Sequence, residues 1–539
     1  MNSANPLAVL TKEIALSSEN SSSTEKFPTD GTAYEGIDRI SRPISYEDFF
    51  EKYLLQNKPC IFGSFFTDSW PSRKDWVEDD GCHPDFEFLK SHFGDVTVPV
   101  ANCEKVQYDA QPKEDMTLRD YLDYWQKHIK QNYESEKGCL YMKDMHFTRD
   151  CSFYNAYTTL VYFSSDWLNE FWDARADCDQ DDYRFVYMGP KGSWTPFHAD
   201  VFRSFSWSAN VCGKKRWILV PAGQEKHLQD HLGNLPYDVT SCGITDNRKG
   251  GFSQGKSYTP MEVVQSVGEV IFVPSGWHHQ VFNMEDTISI NHNWFNGTSI
   301  SRSFVFLQSE LNKVQKSIDD CRDMDGWEKQ CQLILNASSG MDYQEFFQLL
   351  VSVSRRRLQV IRDGLDEVIN LPTSAACVPC QTDTGVDRVR EAVSCDLSGD
   401  KNSCEDADKR FTCTAGNHQS NPDVEWNAFV ETHNDEGTNT HEHISHDIIS
   451  AKLLCEDTEL KSKIKHFAET DVRHRGQSLT FWHAVYDLRQ VKSVLEDLIK
   501  DPNINMLEVK YQDLEPINLI DKITKMISKL ISINLPELV

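Results

Sequence analysis

Three side chains in this chain could share one piece of chemistry: His198, Asp200 and His279. His198 and Asp200 lie two apart in the run from Tyr183 to Pro221. That run is rich in β-branched and aromatic residues and is broken at Gly189-Pro190-Lys191-Gly192 and Cys212-Gly213-Lys214, which reads as consecutive strands. Alternate side chains of a strand share a face, so this imidazole and carboxylate point the same way and can hold one cation. A second strand-like stretch, Val267 to Trp294, can bring a third donor to the same place if the sheet curls into a barrel. Two histidines and one carboxylate on one face of an octahedral ion leave three positions open, which suits Fe(II) chemistry with a co-substrate and dioxygen.

His-x-Asp alone means little, because it recurs at His83-Pro84-Asp85 and His433-Asn434-Asp435. The first has Pro in an apparent loop and the last lies in a polar run. Only the middle copy sits in a strand and is followed by Val273-Pro274-Ser275-Gly276-Trp277-His278-His279. Adjacent histidines must face opposite sides of their strand. His279 shares its face with Trp277 and Val281, whereas His278 shares its face with Gln280, and this favours His279 as the inward residue.

The segments Trp194–Asp200 (WTPFHAD), Gly213–Pro221 (GKKRWILVP), Gly268–Asn283 (GEVIFVPSGWHHQVFN) and Thr287–Asn293 (TISINHN) together resemble the jumonji-C family of iron(II)- and 2-oxoglutarate-dependent oxygenases, in its small-hydroxylase branch. The resemblance covers residues 36 to 370. It implies a mainly β core with helices, a double-stranded β-helix (jelly-roll, cupin-like) barrel, plus a C-terminal helical region. The family's Gly-Trp-x-His pattern places the third ligand on His279. Lys215 falls where the family holds the far carboxylate of 2-oxoglutarate, with hydroxyls from Thr195 and Tyr141. Asn291 and Asn293 fall among polar residues lining the co-substrate pocket, and Ser208 stands where one relative has asparagine. The implied activity is Fe(II)-, 2-oxoglutarate- and dioxygen-dependent hydroxylation of a protein side chain, with a lysine of a translation termination factor as the substrate. Histone lysine demethylation and a catalytically silent cupin-like interaction scaffold are the alternatives. Intact His198, Asp200, His279 and Lys215 speak against the scaffold.

The elements that must position these groups occupy part of a 539-residue chain, longer than one hydrophobic core usually organises. A net charge of −28 argues against non-specific nucleic-acid binding, which needs a basic surface, and suits a basic protein partner. The sixteen cysteines are scattered, and no apolar run reaches the roughly 18 residues that span a bilayer. A cytoplasmic, reducing setting without membrane contact is the expectation. Residues 1–35 read as a disordered tail and 36–300 as the oxygenase core with buttressing N-terminal elements. Within that core, helices are expected at Tyr46–Leu55 and Thr117–His128, and Tyr154, Tyr157, Trp167, Phe171 and Trp172 read as core aromatics. The polar stretch between Lys226 and Tyr258 could cover the substrate.

Beyond the core, residues 301–370 read as a helical extension on the spacing of Phe304, Leu307, Leu311 and Val314, with Arg355-Arg356-Arg357 as a solvated helix face. Residues 371–446 read as a disordered acidic insertion. Its Cys377-x-x-Cys380 lacks the second close ligand pair that a structural zinc site needs. Residues 447–539 are expected to return to helices, which could form a homodimer interface.

Overall fold

A computed structural model of the chain describes residues 36–108, 110–175, 182–230, 233–241, 260–369, 481–504 and 516–532. The expectations for 1–35 and 371–446, and the His433 motif, lie outside the described residues. Among the described residues, thirteen strands make two sheets. The strands are β1 (Asp38–Ile40), β2 (Cys60–Phe62), β3 (Thr97–Asn102), β4 (Lys113–Thr117), β5 (Leu140–Met145), β6 (Arg184–Gly189), β7 (Trp194–Ala199), β8 (Phe205–Cys212), β9 (Lys215–Val220), β10 (Met261–Gln265), β11 (Val270–Val273), β12 (His278–Asn283) and β13 (Thr287–Trp294). The larger sheet runs β1-β2-β11-β8-β13-β6-β5-β3-β4 and the smaller β10-β9-β12-β7. All pairs are antiparallel except β1 with β2.

Alternation explains how the sheets enclose a polar site. Along β8, Phe205, Trp207, Ala209 and Val211 pack into the main apolar core, and along β13 so do Ile288, Ile290 and Trp294. Their neighbours Ser206, Ser208, Asn210, Ser289, Asn291 and Asn293 therefore face the other way, into the barrel. Every residue of β8 is buried, so this polar face is covered by protein rather than turned to solvent. On the smaller sheet Trp217, Leu219, Trp277 and Val281 face inward with Ile271 and Val273 of β11. Phe197, Ile218 and Val220 form a separate outer cluster with Leu228 and Val239.

That outer cluster bears on the polar stretch after Lys226. Its described part lies along the outside of the small sheet, where the Tyr237 carbonyl accepts from Phe197 N–H and Val239 N–H donates to Gln280.

The longer helices are α1 (Tyr46–Phe49), which continues as a π-helical turn (Phe50–Leu54), α2 (Phe86–Phe93), α3 (Leu118–Lys130), α4 (Trp167–Asp173), α5 (Ile300–Ser317), α6 (Trp327–Ser339), α7 (Tyr343–Ile369), α8 (Phe481–Lys500) and α9 (Pro516–Ser532). Thr117 caps α3 through its hydroxyl, as expected from a Thr ahead of an apolar-periodic run. Asp85, the end of the first His-x-Asp copy, likewise caps α2. Trp167 and Phe171 are buried, while Tyr154, Tyr157 and Trp172 are half-buried.

The C-terminal α8 packs on α7, α5 and α9 of the same chain. Here the arginine run departs from the expectation. Arg356 is half exposed, but Arg357 is 1 % exposed and its Nε donates to Asp487 of α8 at 2.8 Å, with Glu170 of α4 as a second partner. A guanidinium can be buried only when it is paired, and its partner Asp487 stands 130 residues away in sequence.

Candidate metal centre

His198 near the end of β7 and His279 on β12 are direct cross-strand partners. Their ring centroids lie 4.4 Å apart. One donor atom from each of His198, Asp200 and His279 lies within 4.8 Å of the others, a spacing one cation can bridge. Each imidazole is oriented by the same local device. His198 Nδ1 lies 2.8 Å from the Pro196 carbonyl and His279 Nδ1 lies 3.2 Å from the Trp277 carbonyl, each two residues upstream. A carbonyl only accepts, so Nδ1 carries the proton in both rings and Nε2 keeps its lone pair for the centre. Burial, with the nearby His279, pushes His198 down to about 4, which holds it in the neutral form that ligates metals. Ser206 Oγ donates to Asp200 Oδ2 at 2.7 Å and fixes that carboxylate.

The turn after Asp200 is sterically costly. Phe202 and Arg203 both adopt φ of 55°, a left-handed conformation that disfavours L residues by about 1–2 kcal/mol each. Packing holds it in place. Phe202 lies against Tyr183 and Phe295, and Arg203 stacks over Phe306 and approaches His278 at 3.3 Å. His278 is thus buried on the outer side of its strand, and burial beside Arg203 pushes it down to about 3. The structure gives the inward position to His279.

The turn that delivers His279 is clamped as well. Trp277 N–H returns to the Pro274 carbonyl across Ser275 and Gly276, and Gly276 supplies φ of 73°, the requirement of a type II turn at that position. Asn57 exchanges two hydrogen bonds with the Ser275 backbone and accepts from Trp277 Nε1 on its carbonyl. Ser275 Oγ donates to the Arg203 carbonyl at 2.6 Å. The turns behind Asp200 and before His279 are therefore tied to each other.

Deeper in the barrel, Lys215 is 2 % exposed and its Nζ donates to Ser289 Oγ at 2.6 Å. Burial alone pushes it down to about 7; no carboxylate among the described residues offsets the cost of holding an ammonium there. Asn291 Nδ2 donates to the same Ser289 Oγ at 3.1 Å. Tyr141, buried on β5, reaches the same end of the barrel because Gly189 opposite has no side chain; a Cβ there would meet the Tyr141 ring at 2.4 Å. Burial raises the Tyr141 hydroxyl above its usual range, so it remains a donor.

Thr195 presents a puzzle that the register resolves. Three residues before His198, it would face away from the cavity in a regular strand. The pairing instead steps from His279↔His198 to Val281↔Thr195, so Pro196 and Phe197 together oppose Gln280. This β-bulge turns Thr195 to the inner face of Val281. Proline fits there because a bulge releases it from ladder donation. Asn293 lies at the metal end, opposite Ser206, and donates to Ser204 Oγ at 3.3 Å.

Of the eight residues expected from sequence, His198, Asp200 and His279 come together as one donor cluster, and Lys215 and Asn291 meet at Ser289 Oγ. Sequence reading missed Ser289, Ser206 and Asn57. The first two were detectable as polar residues alternating with buried apolar ones in Ile288–Trp294 and Phe205–Cys212; Asn57 carries no such signal. The cavity also leaves Ser208 Oγ, Asn210 Oδ1 and Asn283 Oδ1 buried without partners. Buried polar groups need partners; the Lys215 ammonium and the hydroxyl donors of this cavity fit a carboxylate of a small dicarboxylate such as 2-oxoglutarate, while the two amide oxygens call for a donor such as water. The His, His, Asp donor set fits Fe(II).

Comparison with known proteins agrees. A family model described as JmjC domain, hydroxylase, matches residues 185–294. A chicken protein named 2-oxoglutarate and iron-dependent oxygenase JMJD4 is 53 % identical over 61 % of this chain and 77 % of its own length. The human protein of that name is 51 % identical over 63 % of this chain and 81 % of its own. The Arabidopsis thaliana arginine-specific demethylase JMJ20 is 41 % identical over 62 % and 74 %. With identity of this order sustained across most of each relative's length, on a cupin-like fold, the chain belongs to the JmjC family of 2-oxoglutarate and iron-dependent oxygenases.

Proposed function

We propose that this oxygenase hydroxylates a protein side chain, a lysine of a translation termination factor, and that His198, Asp200 and His279 hold the iron. The observation that carries the reading is the juxtaposition of three metal-type donors within 4.8 Å with a buried ammonium that has no carboxylate partner among the described residues. Bound Fe(II) with 2-oxoglutarate and dioxygen supplies the oxidising power for C–H hydroxylation. The chain's own residues bind, orient and exclude water. Two carbonyl-fixed imidazoles and a Ser206-held carboxylate would hold the ion. Lys215, Thr195, Tyr141 and Ser289 receive the far carboxylate of the co-substrate as charge-assisted and neutral donors. Asn291 and Asn293 line the path between the two ends. Trp217, Leu219, Trp277 and Val281 keep the interior dry, which strengthens each of these contacts.

A lysine-bearing substrate fits the net charge of −28, which draws cationic partners and raises encounter rates. The likeness to an arginine-specific demethylase supplies a second reading, oxidation of an N-methyl group by the same site. One experiment addresses both. Fe(II)-loaded protein is incubated with 2-oxoglutarate and either purified termination factor or methyl-arginine peptides, and the products are read by mass spectrometry. The proposal expects one added oxygen on a termination-factor lysine, with at least about a hundredfold loss of succinate formation in Asp200→Ala. Loss of a methyl group from the peptides, with the factor untouched, would replace it by the second reading.

A further inference from the structure

Outside the centre, two thiols face each other across strands of the large sheet. The β3–β5 register pairs Val100 with Met142, Ala101 with Tyr141 and Asn102 with Leu140. Cys103 and Cys139 come next, joined by a 2.9 Å hydrogen bond from Cys103 N–H to the Cys139 carbonyl. Cys139 N–H in turn donates to Glu104 Oε1 at 3.1 Å, so the ends of both strands are clasped. Directly opposed antiparallel residues have Cα atoms about 4.5–5.5 Å apart, inside the range of about 4.4–6.8 Å that a disulfide spans.

Both thiols are free, and the Cys139 side chain lies close enough to Cys103 to bias its ionisation. That contact, with the Lys143 ammonium nearby, holds Cys103 below the ordinary thiol range against the opposing effect of burial. An electropositive, hydrogen-bonded environment is what makes a thiol reactive. Cys103 is buried while Cys139 is half-buried, so small oxidants have a way in. Cys103 Sγ also donates to the Trp194 carbonyl at 3.7 Å, and Trp194 precedes Thr195 on the strand that carries His198.

We propose that Cys103 and Cys139 form a redox-closable dithiol, and that its oxidation weakens co-substrate binding by releasing the Trp194 carbonyl beside Thr195. The second half rests on the functional reading above. A peroxide is the oxidant. The Cys103 thiolate attacks one peroxide oxygen, the O–O bond breaks, and a sulfenic acid and water form. The Cys139 sulfur then displaces that oxygen as a second water while the S–S bond forms. The sulfur pair loses two electrons and the peroxide gains them. The product has no S–H, so the contact to Trp194 is lost.

The test uses the full chain. Metal-free protein is treated with hydrogen peroxide, its remaining thiols are alkylated, and it is digested without reduction. A linked Cys103–Cys139 peptide, two hydrogens lighter than the sum of its parts and cleaved by dithiothreitol, is expected; Cys103→Ser must lack it. Mn(II)-loaded protein is then titrated with 2-oxoglutarate. The dissociation constant rises about two- to fivefold on oxidation, the scale of one weak hydrogen bond, and peroxide leaves that of Cys103→Ser, which keeps a hydroxyl donor toward the Trp194 carbonyl and has no sulfur there to oxidise, unchanged. Both thiols remaining open to alkylation overturns the dithiol. A linked peptide with unaltered affinity overturns the coupling to Thr195. Failure of the reduced protein to bind 2-oxoglutarate at all would count against the functional reading, and the peptide map would still decide the disulfide.

Discussion

At the scale of single residues, Lys215 shows most directly how environment becomes function. Its folded pKa of about 7 lies well below that of a free lysine, because burial is set against a lone hydroxyl. An anionic ligand favours the ammonium and raises that value in the complex. The sign follows: below pH 7 the free site already holds its proton and affinity is flat, whereas above pH 7 each ligand bound must bring a proton with it. The affinity for 2-oxoglutarate under nitrogen, with Fe(II) present, is expected to fall by up to tenfold per pH unit above 7. Calorimetry in buffers of different ionisation heat should show proton uptake approaching one at pH 8 and none at pH 6. Lys215→Met should abolish the pH dependence along with most of the affinity. A flat profile in the wild type would mean that the ammonium meets an acceptor other than the ligand.

At the scale of elements, the site depends on backbone devices that place side chains. The Pro196–Phe197 bulge turns Thr195 inward, and the Ser275–Gly276 turn sets His279 opposite His198. Asn57 holds that turn without touching the centre. Groups that orient metal ligands typically contribute 10–100-fold in metal affinity. Asn57→Ala is therefore expected to weaken Fe(II) or Mn(II) binding by about tenfold while leaving the far-UV circular dichroism unchanged; unaltered metal affinity would show that the turn holds its shape unaided. How far the sequence revealed these elements follows from their physics. His198, Asp200 and His279 were legible because strand periodicity fixes which neighbours share a face, and the polar alternation in β8 and β13 was there to be read. Thr195 was placed by resemblance alone, since regular alternation points it outward and one extra residue in a ladder leaves no periodic trace. Asn57 was not legible, because its partner Ser275 lies 218 residues away and a loop asparagine looks like any other.

At the scale of the whole molecule, the part that sequence misread most is the anchoring of the C-terminal helix. Apolar spacing located α8 through Val485, Leu488, Val491 and Leu495, all of them buried, but helical periodicity says nothing about where a buried charge will meet its partner. Arg357 and Asp487 are 1 % and 0 % exposed, and Trp167 Nε1 adds a 3.2 Å hydrogen bond to the same carboxylate. Burial would raise Asp487, yet His483 and Arg357 outweigh it and hold the group below the ordinary carboxylate range. A depressed folded pKa makes this contribution complete above the unfolded value and removes it as acid protonates the carboxylate in the fold. Arg357→Met would leave a buried carboxylate without its guanidinium partner, which costs about 3–5 kcal/mol. Arg357→Met with Asp487→Leu removes both charges and fills the space, so its cost should be much smaller. Denaturant unfolding at pH 7 separates these cases, because the single variant should unfold at clearly lower denaturant than the double. If the two shift equally, apolar packing around α8 rather than the ion pair fastens the C-terminal helices to the fold.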